Sequence, residues 1–155
     1  MFDINQFNEE LSDIWSTIVG DIMSFVPNKD VIEKAFYIGE IAENTRECTF
    51  FYQAERQILN PIDIAEKTGM AERVYKDNVF VILDYCNKEL TRIKELFEKT
   101  NQEFPKSIKI IYDARKGSLD TKFSYERITT DEYGMYDAVC DWQEELKAAL
   151  STDQG

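Results

Sequence analysis

Two runs of aromatic and β-branched residues sit inside a chain whose other apolar residues recur at helical steps. Lys34 to Ile41 (KAFYIGEI) and Glu47 to Ala54 (ECTFFYQA) read as strands. The link between them, Ala42-Glu43-Asn44-Thr45-Arg46, suits a hairpin. A sheet begun this way presents an apolar surface that other elements must cover, and the flanking segments have the pattern to do it.

Ile4, Phe7, Leu11, Ile14, Ile18, Ile22 and Phe25 recur at steps of three and four, with Trp15 beside them, and predict a first helix. Asp3 can cap its start and Pro27 closes its end. Glu9, Glu10, Asp13 and Asp21 fall opposite the stripe. Gln57-Ile58-Leu59 reads as a short third strand ended by Asn60-Pro61. The longest helical pattern runs from about Ala71 to Thr100, through Val79, Ile82, Leu83, Cys86, Leu90, Ile93 and Phe97. Phe80, Val81 and Tyr85 widen its N-terminal end, which predicts packing on two sides there. Ser107 to Tyr112 and Leu119 to Tyr125 form a second hairpin pattern, with Lys116-Gly117 in its turn.

The last helix is expected to start near Thr130 as N-cap, with Asp131 and Glu132 in its first turn. Met135, Val139, Trp142, Leu146 and Ala149 make its packing face, and Asp137, Asp141, Glu144 and Glu145 lie opposite. The expected fold class is α+β: an antiparallel sheet of four to five strands with three main helices packed mainly on one side. No linker or repeat divides the chain, so residues 1–150 read as a single domain and 151–155 as a tail that frays.

Charge narrows the functional classes. Lys and Arg total 18 and Asp and Glu 30, a net charge of −12. Such a chain is repelled by nucleic acid and by anionic membranes, and favours a cationic partner. The charge is uneven. Residues 1–33 and 131–155 each carry seven acids and one base, −6 apiece, and the middle of the chain is balanced. Amphipathic helices usually mix both signs on the outer face. Here Asp137/Asp141 and Asp141/Glu145 place like charges four residues apart, a cost of a few tenths of a kcal/mol per pair. Accepting that cost points to a surface that needs to be negative. Tyr133 and Tyr136 lie beside those acids, as interface anchors do.

There is no histidine, which removes His-based nucleophile systems and most zinc sites. No calcium loop, Gly-rich phosphate loop or nucleophile elbow occurs. No catalytic residue, metal ligand or cofactor is assigned. Cys48, Cys86 and Cys140 are odd in number and widely spaced, the pattern of free packing thiols in a reducing compartment. The N-terminus MFDINQFNEEL has acids where a secretory signal has lysines. A cytoplasmic location is expected.

The order and spacing of several segments resemble the YezG-like immunity proteins, which include the EsaG-type antitoxins, over roughly residues 10 to 147. Phe36-Tyr37-Ile38-Gly39-Glu40 is followed by Thr49-Phe50-Phe51-Tyr52, then Asn60-Pro61-Ile62, then a long helix bearing Glu95-Leu96-Phe97. The most specific stretch is Tyr125, Glu132-Tyr133, Tyr136 and Trp142. Two features depart from the family: Ala42 to Arg46 replaces a Gly-rich hairpin, and Arg127-Ile128-Thr129-Thr130 replaces an acidic run.

The resemblance implies an antitoxin that binds and neutralises a cognate secreted toxin domain in the producing cell, a nuclease for EsaG-type members. No chemistry is required of such an inhibitor, and the net charge of −12 argues against direct contact with nucleic acid or membrane. The charge argument adds the partner-binding candidates Tyr133, Tyr136, Asp137, Asp141, Glu144 and Glu145, with Glu9, Glu10 and Asp13 of the first helix as a rival surface. An acidic secretion chaperone or adaptor is the alternative reading. It would hold an effector extended for export, whereas an immunity protein holds its toxin folded and inhibited.

Overall fold

The computed structural model describes residues 2–152. Helix α1 runs Ile4–Met23, and a single 3-10 turn, Lys29–Val31, follows. Strands β1 (Lys34–Ile41), β2 (Arg46–Ala54) and β3 (Gln57–Leu59) form a meander. Helices α2 (Pro61–Lys67) and α3 (Glu72–Lys99) carry the chain back across the sheet. Strands β4 (Ser107–Asp113) and β5 (Ser118–Ser124) complete it, and α4 (Met135–Thr152) ends the described chain. The sheet order is β3-β2-β1-β4-β5, antiparallel throughout, so the fold is α+β as the sequence predicts.

β1 is the central strand and is buried on both faces, which is why its sequence is nearly continuously apolar rather than alternating. On one face Ala35, Tyr37 and Ile41 of β1, with Phe50 and Tyr52 of β2 and Ile108 and Ile110 of β4, meet the helices α1, α2 and α3. The Tyr52 hydroxyl donates to the Ile22 carbonyl and ties β2 to the end of α1. Gly39 lets α3 approach closely: a Cβ there would lie 2.9 Å from Tyr37 Oη and 3.0 Å from Leu90 Cδ2. On the other face Phe36, Ile38 and Phe51 meet α4, with Ile128 and Tyr133 of the connection before it packed against the same core. Among the described residues, helices α1, α2 and α3 therefore share one side, and α4 takes the opposite one.

Local chemistry sets the boundaries. Asp3 caps α1, accepting from the N–H groups of Asn5 at 3.0 Å and Gln6 at 3.3 Å. Asn60-Pro61 does end β3, but it also opens α2, which the sequence reading omits. Pro61 takes the first helical position, and Asp63 accepts the Asn60 N–H at 3.3 Å. Gly117, in the β4–β5 turn, has φ +65°, a conformation that glycine adopts freely.

Three local expectations are corrected. Phe80, Val81 and Tyr85 are exposed, at 74%, 47% and 49%. Nothing covers the outer side of this half of α3 among the described residues; the helix packs through Tyr75, Ile82, Cys86, Leu90 and Ile93, and its outer side carries the ion pairs Glu72–Lys76 and Asp84–Lys88. The last helix starts at Met135, not near Thr130. The Thr130 hydroxyl caps a separate turn, accepting from the N–H groups of Glu132 and Tyr133, while Asp137 accepts the Gly134 N–H at 2.9 Å. α4 also continues through Ser151 and Thr152, two residues into the expected tail; residues 153–155 lie outside the described part.

Candidate functional site

α4 is held by a compact aromatic contact. Trp142 is buried and stands edge-on to Phe36 and Phe51, with ring centroids 5.6 and 5.2 Å away. Lys109 Nζ lies 4.8 Å from the centre of the Trp142 ring, on the side toward β4. Gln143 is buried and donates through Nε2 to Asn60 Oδ1 at 2.7 Å, which fixes the side toward β3. Met135, Ala138 and Val139 complete the inner face; Leu146 is only half-buried and Ala149 is exposed.

The segment that leads into α4 is anchored from below. Glu40, on the α4 face of β1, is buried and accepts from Ile128 N–H at 3.0 Å, Thr129 N–H at 2.9 Å, Thr129 Oγ1 at 2.5 Å and Arg127 Nε at 3.2 Å. Burial alone would raise the pKa of this carboxyl. Its hydrogen bonds from Thr129, Arg127 and Ile128 outweigh that and hold it below the ordinary glutamate value. Sequence reasoning missed Glu40. The available signal was an acid set within the apolar run of a central strand.

The six candidate residues are all on or beside the outer side of α4, divided between its two flanks. Tyr133 is half-buried and its hydroxyl donates to Asp141 Oδ2 at 2.6 Å, which pushes the phenol pKa up to about 12. Tyr133 packs against the same small core as Ile111 of β4 and Ile128. Tyr136 is 80% exposed and lies on the other flank, where it lines a shallow cleft with Cys140, Glu47, Thr49 and Asn60. Asp137, Asp141, Glu144 and Glu145 are exposed between and along these flanks. The two tyrosines are therefore not neighbours on one edge.

The rival surface differs in its electrostatics. In α1, Glu10 pairs with Lys99 at 3.1 Å and Asp13 with Arg92 at 3.1 Å, so both acids tie α1 to α3. In α4 the ion pair is Glu144–Lys147, at 3.6 Å, within the helix itself. Among the described residues no Lys or Arg lies within ion-pair distance of Asp137, Asp141 or Glu145. No cluster of three or more potential metal ligands occurs among the described residues, and no helix is long and apolar enough to cross a membrane.

Residues 11–151, which take in the sheet, α2, α3 and all of α1 and α4 but the first turns of the one and the last residue of the other, match the family described as immunity protein YezG-like. The chain belongs to the YezG-like immunity protein family. No curated protein matches it. The family-like stretch runs from Tyr125, just past β5, through the anchored segment and into α4. It mixes two kinds of residue. Trp142 is a packing residue, whereas Tyr125 and Tyr136 are exposed.

Cys48 and Cys86 are buried free thiols and Cys140 is a half-buried one. Burial pushes the Cys48 thiol up to about 12 and raises Cys86 further from its ordinary range, so neither is a thiolate near neutral pH.

Proposed function

We propose that this YezG-like chain binds the toxin domain of a secreted effector and neutralises it in the producing cell, with the outer side of α4 as the contact surface. The toxin is proposed to be a nuclease, as the likeness to EsaG-type antitoxins implies, deployed in competition between bacteria. The observation that carries this reading is the contrast between the terminal helices. Two of the acids on α1 are spent on bases of α3, and Asp137, Asp141 and Glu145 on α4 have no basic partner within reach among the described residues.

A nuclease holds phosphates on a basic surface. An acidic protein laid over that surface competes with the substrate and excludes it, and long-range attraction speeds the encounter. The inhibitor needs no bond-making chemistry. It needs a rigid acidic face, and α4 is fixed by Trp142, by Gln143–Asn60 and by the Glu40-anchored segment before it.

The test is protection from the co-produced toxin. Asp141→Lys combined with Glu145→Lys is expected to weaken protection, and Glu9→Lys, at an exposed acid of α1, to leave it unchanged. Full protection by the α4 variant, with loss in the α1 variant, would move the contact to the first helix. A toxin recovered extended and uninhibited in the complex would favour the secretion-chaperone reading.

A further inference from the structure

The two edges of the sheet are built differently. β3 is three residues long and runs into Pro61, and α4 closes over it, with the Arg56 guanidinium donating to the Leu150 carbonyl at 3.3 Å. β5 is seven residues long and pairs with β4 without a bulge, from Ser118 opposite Asp113 to Ser124 opposite Ser107. No strand lies on its outer side among the described residues, so one row of its N–H and C=O groups faces outward. It contains no proline, and Leu119 and Phe123 are exposed on it at 41% and 45%.

The sequence of this edge, Ser-Leu-Asp-Thr-Lys-Phe-Ser, is self-complementary about its centre, Thr121. An antiparallel pairing of two such strands about a two-fold axis at Thr121 sets each Leu119 across from a Phe123. It sets each Asp120 across from a Lys122, each Ser118 across from a Ser124, and the two Thr121 across from each other. Apolar, opposite-charge and hydroxyl pairs are the cross-strand contacts that stabilise a sheet. β5 also has a deficit that such a neighbour offsets. Within the chain Lys122 stands directly opposite Lys109, a like-charge pair across the ladder. In the paired arrangement an aspartate arrives on the other side of Lys122.

We propose that two copies of the chain associate through β5, antiparallel and centred on Thr121, joining two five-stranded sheets into one continuous sheet. The contact is isologous and closes on itself, so it ends at the dimer. β5 and α4 lie on different parts of the molecule, α4 packing on β1 and β2, so the dimer leaves the acidic face of α4 open. The proposal does not depend on the identity of the toxin.

Sedimentation of the full chain in isolation tests it, over ~1 μM to ~1 mM protein. The parent chain is expected to dimerise within that range. Asp120→Lys and Lys122→Asp each place like charges across the two-fold axis twice and are expected to weaken the dimer about tenfold or more. Two rescues separate this from misfolding. An equimolar mixture of the two single variants is expected to form a heterodimer, and the double variant Asp120→Lys/Lys122→Asp is expected to dimerise like the parent. A parent chain that stays monomeric throughout overturns the proposal, and so does a dimer indifferent to both single variants. Weakening without recovery in either rescue rules out the register centred on Thr121. If the parent is monomeric and the single variants instead lose toxin binding, the edge accepts a strand from the toxin and not from a second copy.

Discussion

Thr129 bonds the carboxylate of Glu40 twice, through its N–H at 2.9 Å and its hydroxyl at 2.5 Å. With Ile128 N–H and Arg127 added, an acid on the central strand gathers three consecutive residues of the connection between β5 and α4. This ties the connection to the face of the sheet on which α4 packs. Arg127, Ile128 and Thr129 are in this chain the donor set for a buried carboxylate.

Glu40→Gln is expected to destabilise the protein by about 2 kcal/mol, because it removes the charge from several hydrogen bonds and turns an amide donor toward N–H donors. Amide exchange at Ile128 and Thr129 is expected to rise more than exchange in β1. The pH dependence has a fixed sign. The folded-state pKa of Glu40 lies below the unfolded value, so its contribution is fully present above the ordinary glutamate range and is lost as pH falls through the lower, folded pKa. Denaturation of parent and variant should therefore differ at neutral pH and converge in strong acid. A gap that persists in acid would contradict this role.

Trp142→Ala is expected to cost about 3–5 kcal/mol, the usual penalty for emptying a buried aromatic site. Trp142 has Phe36 and Phe51 at its edge and is central to the smaller of the two cores. Thermal or denaturant unfolding measures the loss. A variant that melts like the parent but no longer binds its partner would make Trp142 an interface residue.

The thiols should react in order of exposure. Cys140 is half-buried and is expected to be alkylated first in the native protein, with Cys48 and Cys86 protected until unfolding. Replacing all three by Ser or Ala is expected to destabilise modestly and to leave partner binding intact. Mass spectrometry after brief iodoacetamide treatment gives the order. Early labelling of Cys86 would mean that α3 separates from the sheet far more readily than its packing through Cys86, Leu90 and Ile93 allows.

Periodicity made the main elements legible. β1 has the expected limits, and α1, α3 and the second hairpin lie within a few residues of theirs, because each has a strong apolar period and clear breakers at its ends. Failures occur where one residue can serve two purposes. Pro61 ends a strand and also begins a helix, and the signal for the second role, Asp63 two residues on, is visible only once a helix is considered. Thr130 caps a turn in place of a helix because Gly134 stands between that turn and α4. Phe80 is apolar and in phase with nothing that covers it, so periodicity cannot tell its exposure from burial. At the candidate surface the acids were legible as a charge excess. Their lack of basic partners was not, because it depends on which distant lysines and arginines the fold brings near.

The last expectation concerns how α4 meets its partner. Asp141→Lys with Glu145→Lys should have a limited cost in folding. Exposed substitutions usually change stability by less than ~0.5 kcal/mol, and the double variant also loses the exposed Tyr133–Asp141 hydrogen bond. Glu145→Lys alone avoids that second cost. The effect on association should be larger. Opposite fields steer two proteins together, so reversing two charges on the contact face is expected to lower the association rate by roughly tenfold at low salt and to flatten its salt dependence. Dissociation should change less if these acids act mainly through the field. Glu10→Lys with Asp13→Lys provides the control, and it should behave in the opposite way. It breaks the pairs with Lys99 and Arg92, so it should lower the melting temperature while leaving the association rate nearly unchanged. Stopped-flow association with the purified toxin domain at several salt concentrations separates the two helices. An unchanged rate in the α4 variants would mean that the toxin does not meet this face, whatever its charge.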